Sequence, residues 1–275
     1  WSDKAANLRE LAEELNLSLD SFVFVDDSPF ECELVGRLLP EVTVCPVPRC
    51  LTEYPDLPFR AGWFDRLSGT EVDRHRTEMV RREAERRRLR EQLCDLDSYL
   101  ALLEIRAEIH GIQSEEIPRV AQLTQKTNQF NLTTRRYSEA QIQTFARSEQ
   151  TCIFTLTVSD KFGPSGLTGV FIATCCNGVA EIDTFLLSCR VLGRRVEDVF
   201  AAHCLDRLTR LWRPQQWAAT YLPTSKNQQV ADFWDRFGFA SDLLDNGTKG
   251  YTVPADRLTL PRISFITVRS DNEFD

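Results

Sequence analysis

Hydrophobic residues along this chain change their spacing several times, and each change marks an element. Leu8, Leu11, Ala12 and Leu15 recur three and four residues apart. That is the period of a helix with one buried stripe, so an amphipathic helix is expected over 5–16. The next apolar run, Phe22-Val23-Phe24-Val25, has no polar residue in alternation and reads as a strand covered on both faces, as in a parallel α/β sheet. Ser28-Pro29-Phe30-Glu31 follows: serine as N-cap, proline at the first helical position and glutamate three residues on make a capping box. This helix should run to about Leu39, before Pro40, and 42–47 reads as a second strand. Helix, strand, helix, strand is the unit of a doubly wound sheet.

Residues 46–70 carry Pro and Gly without a regular period and read as irregular structure with a short helix around Leu51–Tyr54. Residues 71–93 hold eight arginines and six acids with neither proline nor glycine, which suggests a long helix stitched by i,i+4 pairs. Its run RREAERRRLR is either a solvated face or a docking patch for an acidic partner such as an acyl carrier protein. A new series then begins. Strands are expected at 103–112, 152–158, 167–175, 179–187 and 217–221, and helices at 117–127, 138–146 (capped by Ser138), 195–211 and 228–237. Asn177-Gly178 between two apolar runs is a strong hairpin signal. The pattern predicts an α/β chain: a partial Rossmannoid parallel-sheet unit over 1–60, a helical connector over 61–98, an α+β domain over 99–255 and an extension over 256–275.

Composition narrows the function. The 275 residues are 42% hydrophobic and 27% charged, with a net charge of −8, which disfavours general nucleic-acid binding. No apolar run reaches the roughly 18 residues of a membrane helix, and no signal-peptide pattern is seen. Nine cysteines with no CxxC pair and only three histidines suit reduced, mostly buried thiols in a cytoplasmic protein rather than a zinc site.

Three places carry candidate chemistry. Asp26 and Asp27 end an apolar strand beside a helix start, where α/β sheets bind ligands. Adjacent carboxylates need a cation or a proton between them, so the pair is either a Mg²⁺ site facing a phosphate or two loop aspartates, one of them an N-cap. The stretch 122-QLTQKTNQFNLTTRRY-137 gathers Gln122, Gln125, Lys126, Asn128, Gln129, Asn131, Thr133 and Thr134. Such amides and hydroxyls read a polar ligand or cap helices and form turns. Glu181 and Asp183, acids within an apolar strand pattern, are candidate general bases or solvent-facing edge residues.

FVFVDDSP, preceded by Lys4, resembles the last two motifs of the haloacid dehalogenase-like (HAD) phosphatases. The phrases WSDKAANLRELAEELNL, FVFVDDSPFECELV and VAQLTQKTNQFNLTTRRY resemble the FkbH-like proteins, over nearly the whole chain. The resemblance implies that Lys4 steadies a transferring phosphate and that Asp26 and Asp27 hold Mg²⁺. The family's DxDxT nucleophile motif precedes such a lysine and is absent here, so the chain reads as the C-terminal part of a longer protein. The later elements resemble the GNAT acyltransferase fold. Arg190-Val-Leu-Gly193-Arg194-Arg195 stands where that family has its pyrophosphate loop, with Arg195 in place of the final small residue. Asn227 and ADFWDRFGF resemble a later GNAT motif, with Trp234 where tyrosine is usual.

FkbH-like proteins act in polyketide-type biosynthesis. The implied activity is removal of phosphate from 1,3-bisphosphoglycerate and loading of a glyceryl unit onto an acyl carrier protein, with Lys126, Asn128, Gln129, Asn131, Thr133, Arg190, Gly193 and Asn227 binding substrate or a phosphopantetheine arm. The alternatives are a non-catalytic carrier-binding module and a CoA-dependent GNAT acyltransferase.

Overall fold

The structure, a computed structural model, describes residues 3–15, 17–63, 76–93 and 95–270, so the first part of the expected 71–93 helix and the end of the 256–275 extension lie outside the described residues. The chain forms two compact units, Trp1–Arg76 and Thr77–Asp275.

In the first unit, α1 (Lys4–Leu15), β1 (Val23–Asp26), α2 (Pro29–Leu38) and β2 (Thr43–Pro46) follow the expected order. β1 and β2 pair in parallel, Val23 opposite Thr43 through Asp26 opposite Pro46. Ala5, Leu8, Val35, Leu39 and Val42 form the core, with Phe22, Phe24 and Val44 against it. Two sequence expectations are corrected. Val25 is exposed, because strand residues alternate and only the Phe24 side is packed. Ser28 does cap α2, accepting from Glu31 N at 3.4 Å, but its own N–H donates to Asp26 Oδ1 at 2.9 Å, so the capping box is not closed by Glu31. Beyond β2, a 3-10 segment covers Leu51–Gly62, longer than expected.

The second unit opens with α3 (Arg76–Glu91), whose first residue is the last of the first unit, and α4 (Leu96–Leu102). Then come β3 (Arg106–Gly111), α5 (Ile117–Lys126), β4 (Phe130–Asn131), α6 (Glu139–Ala146), β5 (Thr151–Asp160), β6 (Gly163–Cys176), β7 (Val179–Leu187), α7 (Val196–Trp212), β8 (Gln216–Tyr221), β9 (Ala240–Leu243), β10 (Lys249–Pro254) and β11 (Thr267–Ser270). The sheet order is β11-β3-β5-β6-β7-β8-β10-β9, with β4 beside β7. β11 runs parallel to β3 and β8 parallel to β7. Alternate β6 residues serve the two faces. Val170 and Ile172 pack with Val120, Leu123 and Ile142 of α5 and α6, while Phe171 and Ala173 pack with Phe200, Cys204 and Leu208 of α7. The β6–β7 turn places Asn177 at φ 52° and Gly178 at φ 79°, the left-handed pair a two-residue hairpin requires.

α3 is not uniformly solvated. Arg86 is buried and donates to both oxygens of Asp160, at 2.6 and 2.9 Å, and Arg82 donates to the Pro164 carbonyl at 2.9 Å. The helix expected at 228–237 is instead two 3-10 turns, Gln228–Val230 and Phe233–Phe237. The Ala231 carbonyl, which an α-helix would offer to Asp235 N, is taken by Tyr251 Oη at 2.5 Å and Lys249 Nζ at 3.4 Å. Asp235 N turns to Asp232 O instead, tightening the chain to the i+3 pattern.

Candidate functional site

At the carboxyl end of β1, Lys4 Nζ lies 2.5 Å from Asp26 Oδ2. Lys4 and the Ser28 N–H together hold the Asp26 carboxyl below its usual 3.8, and Asp26 raises the Lys4 ammonium. The repulsion between adjacent aspartates is thus answered by a lysine. Asp27 is exposed. Both Asp26 oxygens have donors already, and among the described residues no group of three or more His, Cys, Asp or Glu side chains could hold a metal. As the side chains stand, Asp26 is occupied by Lys4 and the Ser28 N–H, and a Mg²⁺ ion held by Asp26 and Asp27 would have to displace the lysine and complete its shell with water or phosphate oxygens.

The second unit concentrates its polar residues where β7 and β8 part. These parallel strands pair only from Val179 opposite Gln216 to Ile182 opposite Ala219. The next residue, Asp183, is a bulge: Ile182 faces Ala173 and Thr184 faces Ile172, leaving Asp183 without a partner on β6. Beyond it, the chain's own residues 130–132 fill the gap. Phe130 and Asn131 pair antiparallel with Leu187 and Leu186, Leu132 N donates to Phe185 O at 3.2 Å, and Leu222 N donates to Leu132 O at 2.8 Å. Phe130, Asn131, Leu132 and Thr133 are all buried, and Phe130 packs edge-on against Phe185 and Phe233.

Several residues expected to meet a ligand hold this wedge. Asn131 donates to Thr127 O at 3.2 Å and accepts from Thr134 N at 2.8 Å. Asn227 Oδ1 accepts from Thr224 N at 2.7 Å and Tyr221 Oη at 3.2 Å, while its Nδ2 donates to Asn131 O and Leu222 O, both at 2.9 Å. Thr133 Oγ1 donates to Asp183 O at 3.0 Å. The buried amides of Asn131 and Asn227 face the chain, not a ligand. Gln129 takes part through its carbonyl, which accepts from Gln229 Nε2 at 3.3 Å. Lys126 is exposed at the end of α5.

The Asp183 carboxylate gathers three donors: Arg135, Tyr137 Oη at 2.7 Å and Thr184 Oγ1 at 2.7 Å. Burial, then the bond to Asp183, pushes the Tyr137 hydroxyl up to about 12, so it is a protonated donor at neutral pH. A bulge re-aims a side chain, and here it presents a carboxylate at the point of parting. Glu181 is exposed.

The loop before α7 turns Arg194 inward and leaves Arg195 exposed. Arg194 is buried, donating to Asp160 Oδ2 at 3.1 Å, Glu83 Oε2 at 3.0 Å and Arg190 O at 2.6 Å. Arg190 donates to Ser165 O at 3.4 Å. Arg195, the N-cap of α7 at φ 60°, pairs with Asp198 at 3.1 Å. Gly193, at φ 74° with nothing within 4 Å of a notional Cβ, is the open point of this loop. Trp234 lies in an aromatic cluster with Phe185, Phe233, Phe237 and Phe239 and takes no polar part.

Outside the wedge lies a concavity of about 380 Å³ lined by Asn128, Thr134, Arg136, Thr224, Ser225 and Lys226. Arg136 donates to the carbonyls of Thr124 and Thr127 at the end of α5, and to Asn128 Oδ1 at 2.5 Å. Arg135, Arg136 and Tyr137 are not among the expected site residues, although they stand in the same polar stretch, and neither are Thr224–Lys226. The one local signal for the latter is a short polar segment directly after a strand and a proline.

Among the described residues every cysteine is a free thiol, with Cys32, Cys45 and Cys204 buried and Cys50, Cys176 and Cys189 exposed. Burial pushes Cys152 up to about 11. No helix among the described residues is long and apolar enough to cross a membrane.

No family model matches the chain, and no curated protein matches it. The solved structures similar to it include N-acetyltransferases. The ribosomal-protein-S18-alanine N-acetyltransferase from Escherichia coli is 11% identical, with a TM-score of 0.42 over 54% of this chain and 94% of that one. The spermidine N-acetyltransferase from Vibrio cholerae in complex with CoA and spermine is 11% identical, with a TM-score of 0.43 over 55% and 96%. Likeness at that level leaves the chemistry to be read from the chain's own residues.

Proposed function

We propose that this chain belongs to an FkbH-like biosynthetic protein, and that its second, GNAT-like unit docks an acyl carrier protein through its phosphopantetheine arm rather than using free acyl-CoA. In this reading the glyceryl group drawn from 1,3-bisphosphoglycerate is handled by a HAD-like half to which the Lys4–Asp26 pair belongs, and the second unit receives the carrier. The observation that carries the preference for a carrier is that the loop cations a nucleotide pyrophosphate would need are engaged within the chain. Parallel strands that part expose backbone groups to which an extended amide chain, pantetheine included, can hydrogen-bond as an added strand. Residues 130–132 already make those bonds, so neither CoA nor a carrier arm adds a strand there. Arg190 and Arg194 are engaged within the chain, which argues against binding the pyrophosphate that CoA has and a carrier arm lacks.

A second reading, CoA-dependent acyl transfer, is favoured by Asp183. A bulged carboxylate with Tyr137 beside it can accept a proton from an attacking amine or hydroxyl. Calorimetric titration with holo-carrier, apo-carrier and CoA separates the two. Carrier docking expects binding of the holo form and none of CoA. A flat response to several holo-carriers overturns it, and turnover of acetyl-CoA that is lost in Asp183→Asn establishes the second reading instead.

A further inference from the structure

We propose that the concavity outside the wedge is a binding site for a phosphate ester. Its lining holds one ammonium, one guanidinium, three hydroxyls and one amide, with no carboxylate, in a chain whose net charge is −8. Such a lining selects against cations and neutral apolar groups and suits an anion with several acceptor oxygens. Lys226 is exposed and has no ion-pair partner among the described residues, so its charge is free to meet a ligand.

Arg136 is the opposite kind of cation. Three of its five N–H donors are fixed by the Thr124, Thr127 and Asn128 oxygens, which holds the guanidinium plane still and leaves two donors for recognition. Thr134 adds a third observation. It sits at φ 50°, a conformation a β-branched side chain seldom adopts, held there by its N–H bond to Asn131 Oδ1. Glycine would relieve the backbone but would remove a hydroxyl from the concavity. A strained residue kept at a polar cup is the pattern of a ligand clamp.

The volume of about 380 Å³ takes a phosphate with a short carbon body. Two sources share that chemistry: a small free phosphorylated acid, and the phosphate of a phosphopantetheine arm. The second source rests on the carrier-docking reading above; the phosphate chemistry does not. The test is titration of the full chain with 3-phosphoglycerate and with phosphopantetheine, read by calorimetry, for the natural sequence, Lys226→Ala and Arg210→Ala. Arg210 is an exposed cation on α7 paired with Asp206 and serves as the charge-matched control.

At least one probe is expected to bind, with Lys226→Ala weakening it about tenfold or more and Arg210→Ala leaving it within about twofold. Preference for phosphopantetheine assigns the site to the carrier arm, and preference for 3-phosphoglycerate assigns it to a free metabolite. No binding of either probe up to about 1 mM, or equal weakening by both variants, overturns the site. Holo-carrier binding that persists while both probes fail would remove this site and leave the docking reading standing.

Discussion

Asn227 is the fastener of the wedge, and its removal has a consequence that can be sized. Asn227→Ala would strip partners from the Thr224 N–H, the Tyr221 hydroxyl and the carbonyls of Asn131 and Leu222, all of which Asn227 now satisfies at 2.7–3.2 Å. A buried polar group left without a partner costs roughly 1–3 kcal/mol. The Tyr221 hydroxyl can rotate and the Leu222 carbonyl is less enclosed, so about two groups are truly orphaned and the loss is ~3 kcal/mol. For a unit the size of Thr77–Asp275, each kcal/mol moves the unfolding temperature by about 2–4 °C, giving a drop of ~6–12 °C. Thermal unfolding followed by circular dichroism reads this directly. Asn227→Asp, which sets a carboxylate oxygen against the carbonyls of Asn131 and Leu222 in a fully buried site, should cost at least as much as the alanine variant at neutral pH. A drop below about 2 °C for the alanine variant would refute the claim that this amide fastens residues 130–132.

Three further outcomes follow from the same structure. Asp160→Ala leaves the buried Arg86 and Arg194 without their shared carboxylate and should cost ~3–5 kcal/mol in urea unfolding. Lys4→Met should let the Asp26 carboxyl, now depressed by Lys4 and Ser28, rise toward its ordinary value in an NMR titration. Because that carboxyl is depressed in the folded state, the stability it lends is present above the unfolded pKa near 4 and lost as pH falls through the folded one. The loss on acidification should therefore shrink in the variant.

Glu197 has its carboxyl pushed up to about 7, by burial first and the Asp198 charge after it, and its Oε2 has no hydrogen-bond partner. A raised folded pKa gives stability that is full below the unfolded value near 4.5 and lost as pH rises to about 7. The unfolding temperature should therefore decline from pH 5 to pH 8, by up to ~3 kcal/mol in free energy, and Glu197→Gln should flatten that decline.

Much of this molecule is legible in its sequence because local rules and tertiary packing agree there. The first unit's order, the Asn177-Gly178 hairpin, the Ser138 cap and the long strands of the sheet all follow from spacing and turn chemistry. What was not legible depends on partners far away in the chain. β11, Thr267–Ser270, is exposed along its length and has no apolar pattern, and β3 alone makes it a strand. β4 has two residues and exists because Leu186 and Leu187 lie free of β8. The 228–237 segment has a helical pattern, yet the Tyr251 hydroxyl withdraws one of its carbonyls. The composition of the polar stretch 122–137 suits a polar ligand or caps and turns equally, and it does not show which amides turn inward. Asn131 and Asn227 fasten the wedge, whereas Asn128, Thr134 and Arg136 face outward.

Amide hydrogen exchange at Leu132 and Leu222, with and without CoA, tests the closed gap most directly. If residues 130–132 are a permanent strand between β7 and β8, both amides exchange as slowly as those in the centre of β6, and CoA leaves them unchanged. Rapid exchange at Leu132 in the free chain, or its release when CoA is added, would contradict the account and return the gap to a thioester ligand.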